Sequence, residues 1–378
     1  MHKKKVDHHL NELINPRKNK KHLVLGKKPT EGAVLLQSND YLAISNHDAI
    51  RNAQIDALIK TDKEVVMSAI FLHKDGENDS FEQQLASFTG YEHCILSQSG
   101  WAANIGLIQT IIPANTPVYI DFFAHMSLWE GARTANAAIH TFLHNNVKHL
   151  EKMIKKHGPG LILVDSVYST LGTIAPITEI VAIAKKYGCA TLVDESHSLG
   201  THGLNGSGLV AELGLTNDVD FITVSLAKSF AYRAGAILCS DKVGQCFPFV
   251  AHPAIFSSAL LPHEVEVLKA TLDLIKKSDQ RRKQLFSQTS KLKNGLEELG
   301  YRIQSQSQII ALETGSEART EVIRDLLEAD NIFGSVFCQP ATPKNRNLIR
   351  FSVNSSLSDD DIGKILLACD KVRGVLNK

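Results

Sequence analysis

The central part of the chain alternates short, nearly continuous apolar runs with longer segments of helical periodicity. The runs are CILS from Cys94, PVYID from Pro117, LILVD from Leu161, ATLVD from Ala190, DFITV from Asp220 and AGAILC from Ala234. Continuous runs of this length are typical of strands that are covered on both faces. The segment 177–187 repeats apolar residues with a helical period between Pro176 and Gly188. The pattern predicts an α/β fold with a mostly parallel sheet flanked by helices.

A change of pattern near residue 263 indicates a second, smaller α/β unit. A charged amphipathic stretch from about His263 to Gly300 is expected to form one long helix. It is followed by QIIALE, a helix from about Glu317, a strand-like IFGSVF, the strand LIRFSVN and a last helix that Ser358 and Asp361 cap. We predict an N-terminal segment at 1–45, a large domain at 46–264 and a small C-terminal domain at 265–378.

Length, composition and charge exclude several classes of protein. The 378 residues suffice for about two domains, and 43% hydrophobic with 21% charged residues is ordinary globular usage. The net charge is only +1, although residues 1–28 carry nine Lys and Arg against Asp7 and Glu12. We expect these residues to form a solvated arm that binds no nucleic acid. No apolar stretch approaches the roughly 20 residues of a membrane span, so a cytoplasmic location is expected.

Cysteine and histidine spacing gives no sign of a metal centre. The six cysteines form no C-x-x-C motif, and their apolar surroundings favour buried, reduced thiols. His140 and His144 have the spacing of two ligands on one helix face, but no Glu follows His140 as it does in H-E-x-x-H. We therefore predict no metal site.

Polar residues follow the predicted strands at their carboxyl ends, where open α/β sheets bind ligands. The turn Ser99-Gly100-Trp101 enters a predicted helix and could seat a phosphate. Asp194 ends ATLVD and could keep a heteroaromatic nitrogen protonated, and the ring of His125 could stack on a flat ligand. Lys228 lies in an apolar setting, where desolvation would lower its pKa and favour a Schiff base. Each signal has an ordinary structural explanation, but the combination predicts a pyridoxal phosphate (PLP) site.

These residues, in this order, resemble the fold-type-I PLP enzymes and, among them, the α-oxoamine synthases, which condense an amino acid with an acyl-CoA. The resemblance covers nearly the whole chain, from SNDYL at 38–42 to LIRF at 348–351. It implies that Lys228 forms the Schiff base, Asp194 partners the pyridine nitrogen, His125 stacks on the ring, and His197 and Ser169 neighbour the phenolic oxygen.

The same resemblance implies the remaining contacts and the assembly. The phosphate would be held by Ser99, Gly100, Trp101 and Ser225, together with Ser257 and Ser258 from the other subunit of a homodimer with shared active sites. The substrate carboxylate would be bound by Arg350, with Asn39 and Thr342 also near the substrate.

Two stretches depart from the biosynthetic α-oxoamine synthases. Met67–Leu72 reads MSAIFL where those enzymes have a glycine-rich G-S-G-G-S-R-like sequence, and residues 169–173 read STLGT in place of M-D-G-D. At these two stretches the chain is similar to the α-hydroxyketone autoinducer synthases of the cholera and Legionella quorum-sensing type. The same similarity covers the strings SQSGW, YIDFFAHMSLWEGAR, VDSVYSTLGTIAPI, LVDESHSLGTHG, SLAKSFAYRAGA, IFSSALLP and FGSVFCQPAT. The similarity implies a medium- or long-chain acyl donor such as decanoyl-CoA, and S-adenosylmethionine or 2-aminobutyrate as the amino substrate.

Two alternatives remain open from the sequence. The first is an α-oxoamine synthase of the 8-amino-7-oxononanoate synthase or 2-amino-3-ketobutyrate CoA ligase type, against which the two altered stretches argue. The second is a noncatalytic regulator that binds nucleic acid through the basic arm, which a colourless protein without acyl-CoA turnover would support.

Overall fold

A computed structural model describes residues 2–14, 22–60, 66–72 and 80–376 of the chain. Its strands are β1 (Val34–Leu35), β2 (His93–Ser97), β3 (Pro117–Asp121), β4 (Ala138–Phe142), β5 (Leu161–Asp165), β6 (Ala190–Asp194), β7 (Phe221–Ser225), β8 (Gly235–Cys239), β9 (Ile309–Gly315), β10 (Ile332–Phe333), β11 (Ser335–Phe337) and β12 (Asn347–Ser352). Each of the six apolar runs singled out in the central part of the sequence overlaps one of these strands.

Helices occupy most of the segments between the strands. They are α1 (Lys3–Ile14), α2 (Asp48–Lys60), α3 (Phe81–Thr89), α4 (Gly100–Ile111), α5 (Met126–Thr134), α6 (Val147–His157), α7 (Ile177–Tyr187), α8 (Leu209–Glu212), α9 (Asp241–Val250), α10 (His252–Ile255), α11 (Pro262–Lys276), α12 (Asp279–Glu298), α13 (Glu317–Ala329) and α14 (Asp359–Leu376). The helix predicted over 177–187 is therefore present as α7.

Seven of the described strands form one sheet in the order β2-β8-β7-β6-β5-β3-β4. β8 runs antiparallel to both of its neighbours, and the other neighbouring pairs are parallel. The α/β fold with a mostly parallel sheet is thus confirmed. Because the parallel strands point the same way, their carboxyl ends meet at one edge, where the predicted site residues come together.

Both faces of this sheet are buried, which explains why the sequence runs are continuous rather than alternating. Along β5, Leu161 and Leu163 belong to one hydrophobic cluster, while Ile162 and Val164 belong to the cluster on the opposite face. Successive side chains of a strand point to opposite faces, so alternate residues of each run pack into the hydrophobic clusters on the two sides of the sheet.

A smaller antiparallel sheet, in the order β11-β12-β9, forms the C-terminal part together with the short parallel pair β1-β10. The expectation of a single strand across IFGSVF is wrong, because Gly334 divides it between the two sheets. A Cβ atom on Gly334 would lie 2.6 Å from Cγ2 of Ile349 and 2.8 Å from Cε1 of Phe351. The glycine lets the chain pass closely over β12 at the point where it changes partner.

The expectation of one long helix over 263–300 is also wrong, because α11 ends at Lys276 and α12 begins at Asp279. At the break, the Ser278 hydroxyl donates to the Leu274 carbonyl at 2.7 Å, and Arg282 Nη1 donates to the Ile275 carbonyl at 2.8 Å. The same two carbonyls also accept backbone N–H groups from three residues later, Lys277 N at 3.1 Å and Ser278 N at 3.0 Å, so the last turn of α11 is tightened where the helix ends.

Strand β4 was not predicted from the sequence. Its presence means that His140 and His144 do not lie on one face of a helix. Only Phe142 of its five residues is fully buried, so its sequence lacks the apolar run that marks the other strands. His140 lies on this edge strand, where its ring stacks on that of His157 with centroids 3.7 Å apart. His144 lies beyond the end of the strand rather than one helical turn away.

The N-terminal arm is more ordered than expected. Residues 3–14 form α1, residues 15–21 lie outside the described part of the chain, and the side chain of Leu23 is buried. Arg324 donates a hydrogen bond to the Leu23 carbonyl, and Glu328 accepts one from the Lys27 backbone at 2.6 Å. The expectation of a solvated arm is therefore wrong at Leu23. In the described ranges, no helix combines the length and apolar character needed to cross a membrane.

Candidate active site

The predicted site residues gather at the carboxyl edge of the large sheet. Asp194 is the last residue of β6, Lys228 follows the end of β7 by three residues, and His125 caps the amino end of α5 just after β3. Ser99 caps the amino end of α4, directly after β2. Residues more than 100 positions apart in sequence thus surround one crevice.

The turn into α4 is shaped by an unusually close approach of two chain segments. A Cβ atom on Gly100 would lie 2.7 Å from Cβ of Ser225, and one on Gly235 would lie 2.3 Å from the carbonyl carbon of Ser99. The Ser99 hydroxyl accepts from Ala102 N at 3.1 Å, which leaves other N–H groups of the first turn directed outward. This helix start is suited to an anionic group such as a phosphate.

A buried amide that the sequence analysis missed holds Asp194 in place. Asn104 Nδ2 donates to Asp194 Oδ2 and to Ser127 Oγ, each at 2.8 Å, and Thr223 Oγ1 donates to Asn104 Oδ1 at 2.6 Å. The backbone N–H of Ser196 donates to Asp194 Oδ1 at 2.9 Å. The signal in the sequence was an amide within the apolar first half of α4, four residues after the helix-starting glycine.

The His125 ring belongs to the same network. Its Nδ1 lies 2.7 Å from Ser127 Oγ, and its backbone N–H donates to Asp165 Oδ1 at 3.1 Å. Since Ser127 Oγ accepts from Asn104, its own proton is available for His125 Nδ1, which places the imidazole proton on Nε2. Burial lowers the pKa of His125, with Lys228 lowering it further and Asp194 opposing the shift. An uncharged ring is suited to stacking on a flat cofactor.

Burial also lowers the pKa of Lys228, and the nearby Arg350 guanidinium lowers it further, while Asp194 acts in the opposite direction. A lower pKa means a larger fraction of neutral amine, which is the nucleophilic form. The sequence analysis expected this effect from the apolar neighbours alone. The contribution of Arg350 depends on the fold, since the two residues are 122 positions apart.

A chain of hydrogen-bonding groups joins His197 to Arg350 through Tyr41, a second residue that the sequence analysis did not assign. The Tyr41 hydroxyl lies 2.7 Å from His197 Nδ1 and 3.3 Å from Asn39 Oδ1. Arg350 Nη2 donates to Asn39 Oδ1 and Nη1 donates to the Ser169 carbonyl, each at 2.9 Å. Burial lowers the pKa of His197 well below its usual value and raises that of Tyr41, so both are uncharged at neutral pH.

The remaining predicted residues lie in different places around the crevice. Thr342 is buried, with its hydroxyl 3.4 Å from Asn347 Oδ1. Trp101 is partly exposed and meets the His125 ring edge-on, with centroids 6.2 Å apart. Ser257 and Ser258 are exposed, and the Ser258 carbonyl accepts from Gln98 Nε2 at 2.8 Å. This contact between the serine pair and the segment that enters the phosphate turn is made by the Ser258 backbone.

These residues fit PLP. The tight Gly100–Ser225 approach leaves a helix start open to a phosphate, the Asp194 carboxylate is held by two hydrogen bonds, and Lys228 is a buried amine with a lowered pKa. Phosphate, pyridine nitrogen and aldehyde would each meet a complementary group.

Comparison with known proteins agrees with this chemistry. Residues 31–368 match the class I and II aminotransferases. The chain is 57% identical to the CAI-1 autoinducer synthase of Vibrio campbellii, over 97% of this chain and 93% of that protein. Its structure is similar to that of Sphingomonas wittichii serine palmitoyltransferase, with a TM-score of 0.87, 26% identity and coverage of 99% and 97% of the two chains. The serine palmitoyltransferase of S. paucimobilis, solved with a bound PLP–myriocin aldimine, has a TM-score of 0.86 and 26% identity, with coverage of 99% and 98%.

The chain therefore belongs to the class I and II aminotransferase family of PLP-dependent enzymes. Within that family it is an acyltransferase of the α-oxoamine synthase type. The alternative of a noncatalytic regulator is excluded by this membership.

Proposed function

We propose that the enzyme condenses a medium- or long-chain acyl-CoA, such as decanoyl-CoA, with S-adenosylmethionine or 2-aminobutyrate. The reaction would form a bond between the α-carbon of the amino substrate and the thioester carbonyl, release CoA and carbon dioxide, and leave an α-aminoketone precursor of an α-hydroxyketone autoinducer. The observation that carries this proposal is the 57% identity to a CAI-1 autoinducer synthase over 97% of the chain.

The geometry of Arg350 supports its role in binding the substrate carboxylate. Two of its nitrogens hold Asn39 and the Ser169 carbonyl, while Nε has no hydrogen-bond partner among the described residues. Its guanidinium carbon lies 4.7 Å from the centre of the Phe337 ring. A planar cation held on two sides presents its remaining N–H groups in a fixed direction, as bidentate carboxylate binding requires.

The site's other residues act on the proton and the cofactor. PLP supplies an aldehyde that joins the substrate amine and a protonated ring that takes up the electron pair left at the α-carbon. Asp194, oriented by Asn104, would hold the ring nitrogen and keep it protonated. Lys228 Nζ, with its lowered pKa, accepts the α-proton. His125, uncharged because burial lowers its pKa, would stack on the ring and shield it from water.

We propose that the enzyme works as a homodimer in which Ser257 and Ser258 reach the partner's phosphate site. The exposed, apolar Phe256 adjoins this pair, and Phe249 and Val250 are exposed at the end of α9. Apolar exposure of this kind is typical of surfaces that are covered in an assembly. We further propose a cytoplasmic location, because the six cysteines are unpaired, as expected in a reducing compartment.

A competition assay tests the substrate assignment. Purified enzyme with PLP is given equimolar acetyl-, pimeloyl- and decanoyl-CoA with either amino substrate, and the products are identified by mass spectrometry. We expect the decanoyl aminoketone to dominate. Preferential use of acetyl- or pimeloyl-CoA would instead support the biosynthetic α-oxoamine synthases. The Lys228→Ala variant serves as the control for uncatalysed product.

A further inference from the structure

Phe337 and Arg350 are diagonal neighbours on the small antiparallel sheet. In the register of β11 and β12, Phe337 lies opposite Leu348, and Ser335 lies opposite Arg350. Residues directly opposite each other share a face of the sheet, and so do residues two apart along a strand. The pairing of the two strands therefore places an aromatic ring beside the guanidinium.

The geometry of this pair is that of a cation over an aromatic face. The guanidinium carbon of Arg350 lies over the Phe337 ring, 4.7 Å from its centre. A cation is attracted to an aromatic ring within about 6 Å of the ring centre. Because a guanidinium is flat, a ring beneath it restricts the orientation of its plane, which a hydrogen bond to a single atom does not.

The charge of Arg350 is buried, and its hydrogen-bond acceptors are uncharged. The residue is only 5% exposed, Nη2 donates to the amide oxygen of Asn39, and Nη1 donates to the Ser169 carbonyl. Burial lowers the pKa of this arginine, as expected for a cation that has lost water. The aromatic face of Phe337 thus offsets part of a charge that an anionic ligand would neutralise.

The unpartnered Nε of Arg350 indicates which edge of the guanidinium is open. Nε is buried and has no hydrogen-bond partner among the described residues, whereas Nη1 and Nη2 each hold a protein oxygen. A carboxylate can accept two parallel N–H bonds from one edge of a guanidinium. Rotation of the guanidinium plane would turn the open edge away from such a ligand.

We propose that Phe337 is a positioning residue for the amino substrate, because its ring holds the guanidinium of Arg350 with the Nε edge toward the substrate carboxylate. This proposal rests on the proposed function and deepens it, since it assigns a further residue to recognition of the amino substrate. Phe337 acts through Arg350, so the effect of removing the ring is confined to ligands that carry a carboxylate.

The test compares Phe337→Leu with the parent holoenzyme, since leucine is apolar but has no aromatic face. The two proteins are titrated with 2-aminobutyrate and with 1-aminopropane, which lacks only the carboxylate, and the absorbance of bound PLP reports binding. The ring contacts the guanidinium with and without ligand, so only the lost ordering of the guanidinium enters the binding equilibrium. We expect the dissociation constant of 2-aminobutyrate to rise about fivefold and that of 1-aminopropane to change less than about twofold. The amino-donor KM should rise by the same factor as the first constant, while the acyl-donor KM stays within about twofold of the parent.

Three further variants serve as controls. Phe337→Tyr keeps the aromatic face and should return the dissociation constant of 2-aminobutyrate to that of the parent, whereas Phe337→Met removes the face with a differently shaped side chain and should match Phe337→Leu. Phe88→Leu is the matched variant, because Lys276 Nζ lies 5.6 Å from the centre of the Phe88 ring in a second cation–aromatic contact, between α3 and α11. We expect it to leave both dissociation constants unchanged.

The outcomes separate this proposal from the proposed function. If the parent prefers 2-aminobutyrate but Phe337→Leu and Phe337→Met bind it equally well, the positioning role is overturned and the proposed function stands. Equal losses for the two amines would also overturn the role, because they would indicate a general structural defect. If the parent binds 1-aminopropane as tightly as 2-aminobutyrate, recognition of the carboxylate fails, and the amino substrate of the proposed function fails with it.

Discussion

Replacing Asn104 with leucine tests whether the buried amide network positions Asp194 for the cofactor. Leucine has a similar volume, so the packing of α4 is retained while the hydrogen bonds to Asp194, Ser127 and Thr223 are lost. A hydrogen bond to a charged group contributes about 1.5–3 kcal/mol. The bond to Asp194 exists with and without PLP, so only part of that energy enters the binding equilibrium. We expect PLP affinity to fall about tenfold, which corresponds to about 1.4 kcal/mol.

The assay is a titration of the apoenzyme with PLP, followed by visible absorbance, with thermal unfolding of the apoenzyme measured in parallel. Thr223→Val is the matched variant, because it removes only the donor to Asn104 Oδ1 and leaves the bond to Asp194 in place. We expect it to lower the unfolding temperature but to change PLP affinity less than twofold. If Asn104→Leu binds PLP as tightly as the parent, or if both variants lose affinity equally, the positioning role of Asn104 is refuted.

Three further predictions concern single residues. Lys228→Ala should form no product, and borohydride reduction should leave no cofactor covalently attached to it, under conditions where the parent is labelled. A labelled, active variant would reject Lys228 as the Schiff-base lysine. Tyr41→Phe removes the group that bonds His197 Nδ1, so we expect the pH dependence of the bound cofactor's absorbance to shift, and an unchanged titration would contradict the link. Burial raises the pKa of Glu195 to about 7, above its usual 4.5. Because the folded-state pKa is raised, the parent loses stability as the pH rises from about 5 through 7. In urea unfolding, the free energy of unfolding of Glu195→Gln should therefore rise relative to that of the parent by about 3 kcal/mol between pH 5 and 8. A difference between the two proteins that does not change with pH would refute this.

Much of the fold could be predicted from the sequence, because local patterns encode it. The strands buried on both faces read as continuous apolar runs, as in β5, and the sheet edge that binds ligands follows from where those runs end. Strand β4 was missed for the same physical reason, because as an edge strand it buries only Phe142 fully. At the break between α11 and α12, Arg282 bonds a carbonyl seven residues earlier, and periodicity does not report a contact of this kind.

By itself, the sequence determined the kind of chemistry: an amine, a carboxylate, an imidazole and a phosphate turn in a fixed order at the ends of strands. Only the tertiary structure decided how these groups are held and tuned. Asn104 meets Asp194 across 90 positions, and Tyr41 meets His197 across 156. Likewise, the pairing of β11 with β12 brings the Phe337 ring to Arg350. Such contacts depend on distance in space, and a local pattern of residues contains no information about that distance.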